Sequence, residues 1–322
     1  MLRPTTAAVA LAFLLLGCGR SVTADANHQS RVAGVLFAQF ETVYSSKASL
    51  LASSNGYGGL SKQDADTLAL PFGYLLAALN SLGNQSSTDV LANSDVVLVG
   101  AKDFLPPAGL GPVRSKRCYV VILRNQSKFD LHKYFQGAPM ASTAGMPLWN
   151  WSVKLGEFGE NDPKPSSLYA TQMGQSYVLV SNDLQELQPL AEHLAPSSAD
   201  FQGPSGVRDW TSVTQHEVWG YRRYRHYDVV DPMAAGMADV TPGAEALTFY
   251  FDSKRKAGVL GLLLKSPADE RTVAKMNSRA VLPPLKPSGV GAWQTTFPLT
   301  GDQDSFEHLA DVAGLFGFAT YV

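Results

Sequence analysis

The chain has 322 residues, of which 45% are hydrophobic and only 17% are charged, and its formal net charge at pH 7 is -2. The length suggests about two domains, and the apolar content suffices for ordinary globular cores. The near-neutral charge argues against nucleic acid as the main partner, because nucleic-acid binding needs a cationic surface. Cys18 and Cys118 are the two cysteines, too few for a fold stapled by several disulfides.

The N-terminal stretch has the layout of an export signal. A single charged residue, Arg3, precedes an apolar run at residues 7–16, and Gly17 and Cys18 follow. Such a run has the length of a signal-peptide core, about 7–15 residues, and is shorter than the roughly 18 apolar residues of a membrane-spanning helix. The sequence therefore predicts export and argues against a permanent transmembrane anchor.

Residues 15–18, Leu-Leu-Gly-Cys, resemble the lipobox of bacterial lipoproteins, although Leu16 is a less usual residue at its position. The resemblance implies a signal peptide at residues 1–17 and a lipid on Cys18 that holds the protein on a membrane of the cell envelope. Gly19 stands where an aspartate would favour the inner membrane, so the outer membrane is the expected location if the cell has one. An ordinary secretory signal, which would release a soluble protein, is the alternative.

The next two segments are a predicted tether and a predicted helical lead-in. Residues 18–30 are small and polar, as in a flexible linker. Residues 31–90 are predicted to be mostly helical. Ser61 stands three residues before Asp64, which resembles a capping box, and apolar residues then recur at steps of three and four. Pro71 interrupts this pattern and is expected to start a second helical piece.

Residues 91–197 change to a pattern of strands. Residues 95–100 and 118–123 are short apolar runs typical of buried strands. Between residues 148 and 155, apolar and polar residues alternate, which predicts a half-buried strand with Trp149, Trp151 and Val153 on one face. A hairpin is predicted at residues 168–180, and Asp183 is among the residues expected to cap the helix that follows.

The order of strands and helices recurs in residues 207–322, after a linker rich in proline and serine. Strands are predicted near residues 217–227, 245–251, 257–265 and 290–299, and the last helix near residues 304–318. The expected fold class is α+β: a helical lead-in followed by two antiparallel-sheet lobes, residues 91–197 and 207–322, with helices packed on one face.

One predicted strand is unusually rich in arginine and tyrosine. Tyr221, Arg223, Arg225 and Tyr227 share one face of it. Guanidinium groups stack on rings and bind carboxylates or phosphates, so this face is a candidate contact for an anionic glycan, a lipid head group or an acidic envelope protein. The alternative is that the long side chains cover the sheet and pair with local acids, which the small size of the patch favours.

The sequence contains no HExxH, GxSxG, EF-hand or phosphate-loop pattern, and its six histidines include no pair at metal-ligand spacing on a helix. Ser253 and Lys256 have the Ser-x-x-Lys spacing of penicillin-recognising enzymes, but they lie at the tip of a predicted hairpin, whereas those enzymes place the motif at the start of a helix. We therefore predict no catalytic residue, no metal and no cofactor. The predicted function is that of a membrane-anchored envelope lipoprotein with a binding or structural role. The alternative is a periplasmic hydrolase with a site assembled from scattered residues, which a nucleophile within reach of a base in a pocket would favour.

Overall fold

The computed structural model describes residues 28–83, 85–104, 114–124, 128–154, 165–195, 207–224, 243–278 and 281–316. Their strands form one antiparallel sheet of twelve, in the order β11-β12-β10-β9-β8-β1-β2-β3-β7-β6-β5-β4. In chain order the strands are β1 (Thr42–Lys47), β2 (Ser94–Phe104), β3 (Arg114–Leu123), β4 (Ala141–Thr143), β5 (Met146–Val153), β6 (Ser166–Met173), β7 (Tyr177–Ser181), β8 (Val218–Arg223), β9 (Ala244–Asp252), β10 (Ala257–Leu264), β11 (Lys286–Gly289) and β12 (Ala292–Pro298).

Helices cover both faces of this sheet. In chain order the α-helices of the described residues are α1 (residues 28–39), α2 (Ala48–Leu51), α3 (Lys62–Ala69), α4 (Gly73–Asn80), α5 (Ser86–Ala92), α6 (Leu184–Leu194), α7 (Trp210–Val213), α8 (Glu270–Asn277) and α9 (Gln303–Leu315). Two short 3₁₀ helices, Leu70–Phe72 and Leu131–Tyr134, complete the set in this part of the chain. The combination of helices with an antiparallel sheet agrees with the predicted α+β class.

The prediction that helices pack on one face is wrong. Helices α1, α6 and α7 form one core with the sheet, on what we call the α1 face, and α2–α5, α8 and α9 form a second core on the α9 face. Strand β2 shows the reason: Val96 and Leu98 belong to the first core, and Val97 and Val99 to the second. A strand that is apolar at every position must be covered on both sides.

The two predicted lobes do not have separate sheets. Strand β1 comes from the segment predicted to be mostly helical, and it pairs with β2 on one side and with β8 on the other. Val43 lies opposite Gly100 of β2 and Tyr221 of β8, so β1 joins the strands of residues 94–181 to those of residues 218–298. Hydrogen bonds along both edges of β1 make the sheet continuous.

Several predicted element boundaries are confirmed. Ser61 Oγ accepts a hydrogen bond from the Asp64 backbone at 3.0 Å and caps α3. Pro71 lies in the 3₁₀ helix between α3 and α4, and Asp183 caps α6 by accepting from Gln185 N at 2.8 Å. These residues have local roles, which is why their pattern in the sequence was sufficient.

The predicted signal peptide, Cys18 and most of the predicted tether lie outside the described residues. The last three residues of that tether, 28–30, already belong to α1. Every helix in the described part of the chain is too short or too polar to cross a bilayer.

Candidate functional site

The arginine- and tyrosine-rich strand is β8, and Tyr221 and Arg223 point to the α1 face. Tyr221 is only 1% exposed, and its ring lies edge-on to Phe37 with 5.3 Å between ring centroids. Its hydroxyl donates to the Arg208 carbonyl at 2.8 Å, and burial raises the pKa of Tyr221. Arg223 donates to the carbonyl oxygens of Phe37 and, at 3.0 Å, of Phe40.

Tyr221 and Arg223 therefore hold α1 on the sheet, as in the alternative that the long side chains of this strand cover the sheet, although the hydrogen-bond partners above are backbone carbonyl groups and not the local acids expected there. The last carbonyl groups of a helix have no partner within the helix, and an arginine can supply several donors to them. The other two residues of the predicted surface, Arg225 and Tyr227, lie outside the described residues. What remains of the predicted surface within the described residues is thus an internal contact.

Arg222 lies between Tyr221 and Arg223 in β8 and makes a similar contact on the opposite face of the sheet. Its Nη1 donates to the Leu315 carbonyl at 2.7 Å, at the end of α9, and its guanidinium lies 5.5 Å from the ring centroid of Tyr224. The arginines of β8 thus bind the C-terminal ends of one helix on each side of the sheet, where a cation is also favoured by the helix dipole.

A different part of the molecule holds another candidate for a binding site. The described residues form a cleft of about 390 Å³ beside the 3₁₀ helix Leu131–Tyr134, near the β4 edge of the sheet. Its lining consists of Asp130, His132, Pro139, Pro147, Trp149, Gln172 and Gly174. Mostly apolar walls with a few polar groups are typical of small-molecule sites. We call this the β5–β6 cleft.

Stacked rings form one wall of the β5–β6 cleft. The His132 and Trp149 rings lie 5.6 Å apart at an angle of 22°, and the Phe135 and Trp149 rings lie 5.4 Å apart at 13°. Trp151 meets Phe135 edge-on at 5.6 Å. Trp149 is only 6% exposed, and its indole nitrogen has no hydrogen-bond partner among the described residues. The flat rings fix the position of the His132 imidazole through this packing.

Hydrogen bonds from Gln172 hold the other wall. Its Oε1 accepts from Leu131 N at 2.6 Å, and its Nε2 donates to the carbonyl oxygens of Phe129 and Gly174, both at 2.9 Å. The Asp130 carboxylate accepts from His132 N at 3.0 Å and thereby caps the 3₁₀ helix. The cleft is therefore formed before any ligand arrives, which lowers the entropic cost of binding.

We expect Gln172→Ala to open this wall of the cleft. Three backbone groups would lose their partner, so the free energy of unfolding should fall by about 1–3 kcal/mol, and binding in the cleft should weaken as well. Urea denaturation followed by circular dichroism measures the first effect. The exposed Gln175, in the turn after Gly174, provides the control, because Gln175→Ala should stay within about 0.5 kcal/mol of wild type. Equal losses in both variants would contradict the role assigned to Gln172.

A charged cluster ties the 3₁₀ helix to α5. Tyr134 Oη donates to Asp89 Oδ2 at 2.5 Å, and Lys133 Nζ lies 3.1 Å from the same oxygen. The bonds from Tyr134 and Lys133 lower the pKa of the Asp89 carboxyl, whereas burial and the bond to Asp89 raise the pKa of Tyr134. The phenol thus stays protonated and the carboxylate stays charged, so this cluster positions the helix and offers no activated nucleophile.

The described part of the chain has one cysteine, and it is also not activated. Cys118 is buried, and its thiol donates to Ser181 Oγ at 2.9 Å. Burial raises the pKa of the Cys118 thiol and so disfavours the thiolate that would act as a nucleophile. Nearby, Lys116 Nζ lies 2.9 Å from Asp183 Oδ2, and Glu186 Oε1 lies 2.5 Å from another lysine, Lys102. Paired charges of this kind fix α6 on the sheet.

The sequence analysis did not single out the lining of the β5–β6 cleft. Three aromatic residues, Phe129, Tyr134 and Phe135, occur within seven positions, and the sequence analysis assigned them no role in binding. The predicted face of Trp149 and Trp151 is confirmed, since Trp149 is buried and the intervening Asn150 is exposed. This aromatic density was the available signal, but no spacing in the sequence shows that Gln172 lies against residues 129–131.

The comparisons with known proteins identify no family. No protein-family model and no curated protein matches the chain. Among solved structures, crystal form I of TP0453 is 8% identical, with a TM-score of 0.45, over 88% of this chain and 96% of that chain. Crystal form III of TP0453 is 9% identical, with a TM-score of 0.42, over 88% of this chain and 97% of that chain.

Proposed function

We propose that the chain is a lipid-anchored protein of the cell envelope that binds a ligand in the β5–β6 cleft and leaves it chemically unchanged. The anchor rests on the export signal and on residues 15–18, which resemble a lipobox. Bacterial lipoproteins of this kind carry several acyl chains, which suffices for stable attachment, whereas one chain binds a bilayer only marginally. The outer membrane is the favoured location where the cell has one.

The binding role rests on one observation, the chemistry of the cleft lining. The lining residues of the described chain include no serine, threonine, cysteine or lysine that could attack a substrate. The walls are apolar and held in place by the Gln172 hydrogen bonds and the ring stack around Trp149. A preformed, mostly apolar cleft without a nucleophile supports binding rather than covalent catalysis.

The hydrolase alternative would draw on Asp130 and His132, the two titratable residues of the lining. A carboxylate and an imidazole can act together as general base when the carboxylate orients the ring. Here Asp130 Oδ1 accepts from the backbone nitrogen of His132, which is a helix-capping contact. This capping contact accounts for the proximity of Asp130 and His132 without a catalytic role. The hydrolase is therefore kept as one outcome of the binding experiment described below.

We expect Cys18→Ser to abolish the lipid anchor. Cells that express the full chain are labelled with a radioactive fatty acid and then fractionated. Wild type should carry the label and sediment with membranes, whereas Cys18→Ser should carry none. Cys118→Ser is the matched control, because Cys118 is the other cysteine of the chain and is buried in the sheet. Equal labelling of wild type and Cys18→Ser would refute the anchor.

The proposed binding of a ligand in the β5–β6 cleft has a separate test, which uses the lipidated protein in detergent micelles. The chain contains five tryptophans, and ¹⁵N labelling of their indoles gives one signal from each. The signal that disappears in the Trp149→Phe variant is that of Trp149. A low-molecular-mass extract of the envelope should shift this signal, and mass spectrometry should recover the components of the extract intact. An unchanged signal would contradict ligand binding in the cleft, and cleavage products that Asp130→Asn no longer generates would favour the hydrolase.

A further inference from the structure

The charges at the β5–β6 cleft indicate which class of ligand it takes. Its lining holds one acidic residue, Asp130, together with the imidazole of His132, and no lysine or arginine among the described residues. The adjacent Lys133 is directed away to Asp89, 3.1 Å from its carboxylate, and lies over the Tyr134 ring. A cleft with this balance repels an anionic ligand and suits a neutral ligand rich in hydrogen-bond donors.

The polar groups that remain for a ligand are few and close in sequence. The amide of Gln172 is used by the backbone groups of Phe129, Leu131 and Gly174. The Asp130 carboxylate uses only Oδ1 within the described residues, so Oδ2 can accept from a ligand hydroxyl. The ring nitrogens of His132 likewise make no hydrogen bond in this part of the chain, so they can donate or accept.

The remaining walls are flat and apolar. Pro139, Pro147 and the His132 ring present the exposed apolar surface of the cleft. Trp149, which is only 6% exposed, supports the His132 ring at an interplanar angle of 22°. Flat rings of this kind pack closely against the C–H face of a saturated ring, because many weak dispersion contacts add up over a planar surface. A volume of about 390 Å³ lies at the small end of ligand sites, which fits one or two rings.

We infer that the β5–β6 cleft binds a neutral sugar ring, with its C–H face on the flat apolar wall and its hydroxyl groups on Asp130 and His132. The inference deepens the proposed function and rests on it. A hydroxyl bonded to a charged carboxylate gives one of the stronger hydrogen bonds available in a protein. The Asp130 carboxylate is therefore the main determinant of specificity, and the two prolines together with the His132 ring, which Trp149 supports from behind, provide the surface that excludes water.

The test uses the indole signal of Trp149 in the lipidated protein. Neutral hexoses, N-acetylated hexosamines and their disaccharides are titrated against wild type, Asp130→Asn and Asp304→Asn, with a uronic acid as the anionic comparison. Asn at position 130 retains an oxygen that can cap the 3₁₀ helix, so the fold should persist. Asp304 is an exposed carboxylate in the first turn of α9 and makes Asp304→Asn the matched control.

A neutral sugar should shift the Trp149 signal, with affinity reduced about tenfold or more in Asp130→Asn and unchanged in Asp304→Asn. Three results would overturn the inference: no shift with any sugar of the panel, a shift with the uronic acid alone, or equal affinity in wild type and Asp130→Asn. If the envelope extract shifts the signal and the sugars do not, the sugar assignment falls and the proposed binding function stands. If neither shifts the signal, both fall.

Discussion

Phe37→Ala should lower the free energy of unfolding by about 3–5 kcal/mol, the usual cost of removing a fully buried aromatic ring. Phe37 is 0% exposed and is one of the α1 side chains that pack against the sheet. Its ring lies 6.0 Å from that of Trp210, 6.3 Å from that of Trp219 and 5.3 Å from that of Tyr221. Alanine would leave a cavity between three rings that cannot all move inward, so the structure would relax only in part.

Urea denaturation of the full chain, followed by tryptophan fluorescence and by circular dichroism, measures this loss. Val290→Ala provides the matched truncation, because Val290 is an apolar residue with 86% of its surface exposed. That variant should stay within about 0.5 kcal/mol of wild type. A loss for Phe37→Ala no larger than that for Val290→Ala would contradict the packing of α1 described above.

Gly100→Ala should lower the free energy of unfolding by about 1–3 kcal/mol, the usual cost of adding volume to a filled core. A Cβ at Gly100 would lie 2.4 Å from Phe40 Cδ2 and 2.9 Å from Leu36 Cδ2, both side chains of the α1 face. Phe40 cannot retreat easily, because its carbonyl accepts from Arg223 at 3.0 Å. The absence of a side chain at Gly100 therefore lets α1 approach the centre of the sheet.

Thermal or urea denaturation of two further variants makes this prediction specific. Gly73→Ala changes a glycine whose added Cβ would meet no atom within 4 Å; at the start of α4 it should be neutral or stabilising, since alanine favours helix more than glycine does. Combining Gly100→Ala with Phe40→Leu should recover part of the loss, because the two sites are in contact and their effects are not additive. Strictly additive losses would contradict the predicted clash.

The apolar runs in the sequence contained more information about the fold than the prediction used. Residues 95–100 were correctly interpreted as a buried strand, and Val97 and Val99 do face one core while Val96 and Leu98 face the other. A strand that is apolar at successive positions requires helices on both faces. The expectation of helices on one face was therefore wrong. The apolar run at residues 95–100 already contained the pattern that contradicts it.

Strand β1 could not be predicted in the same way. Four of the six residues in its sequence, Thr-Val-Tyr-Ser-Ser-Lys, are polar, yet all but the last residue are buried. The buried hydroxyl groups have partners, since Ser45 Oγ accepts from Gln29 Nε2 and Ser46 Oγ donates to the Lys47 carbonyl, both at 3.2 Å. Pairing with β2 and with β8 satisfies the backbone of β1 at the centre of the sheet. Hydrogen bonds between segments that are far apart in the chain leave no periodic signal in the sequence.

Local patterns sufficed for features that depend on neighbouring residues. They predicted the α+β class, the cap at Ser61, the break at Pro71, the cap at Asp183 and the buried face of Trp149, because each of these depends on residues within a few positions. The predicted lipid site at Cys18 belongs to the same kind of inference. It depends on a short linear motif and stays a prediction.

The tertiary structure alone decided which side chains are available for binding. Tyr221 and Arg223 have the composition of a recognition surface, but α1 covers them and accepts the hydrogen bonds of Arg223. Asp130 and Gln172 are ordinary polar residues in the sequence, and only the packing of residues 129–131 against β6 places them in one cleft. Contacts between distant segments determine whether a side chain is buried and which side chains meet in one cleft. Such contacts are not encoded at any single position of the chain.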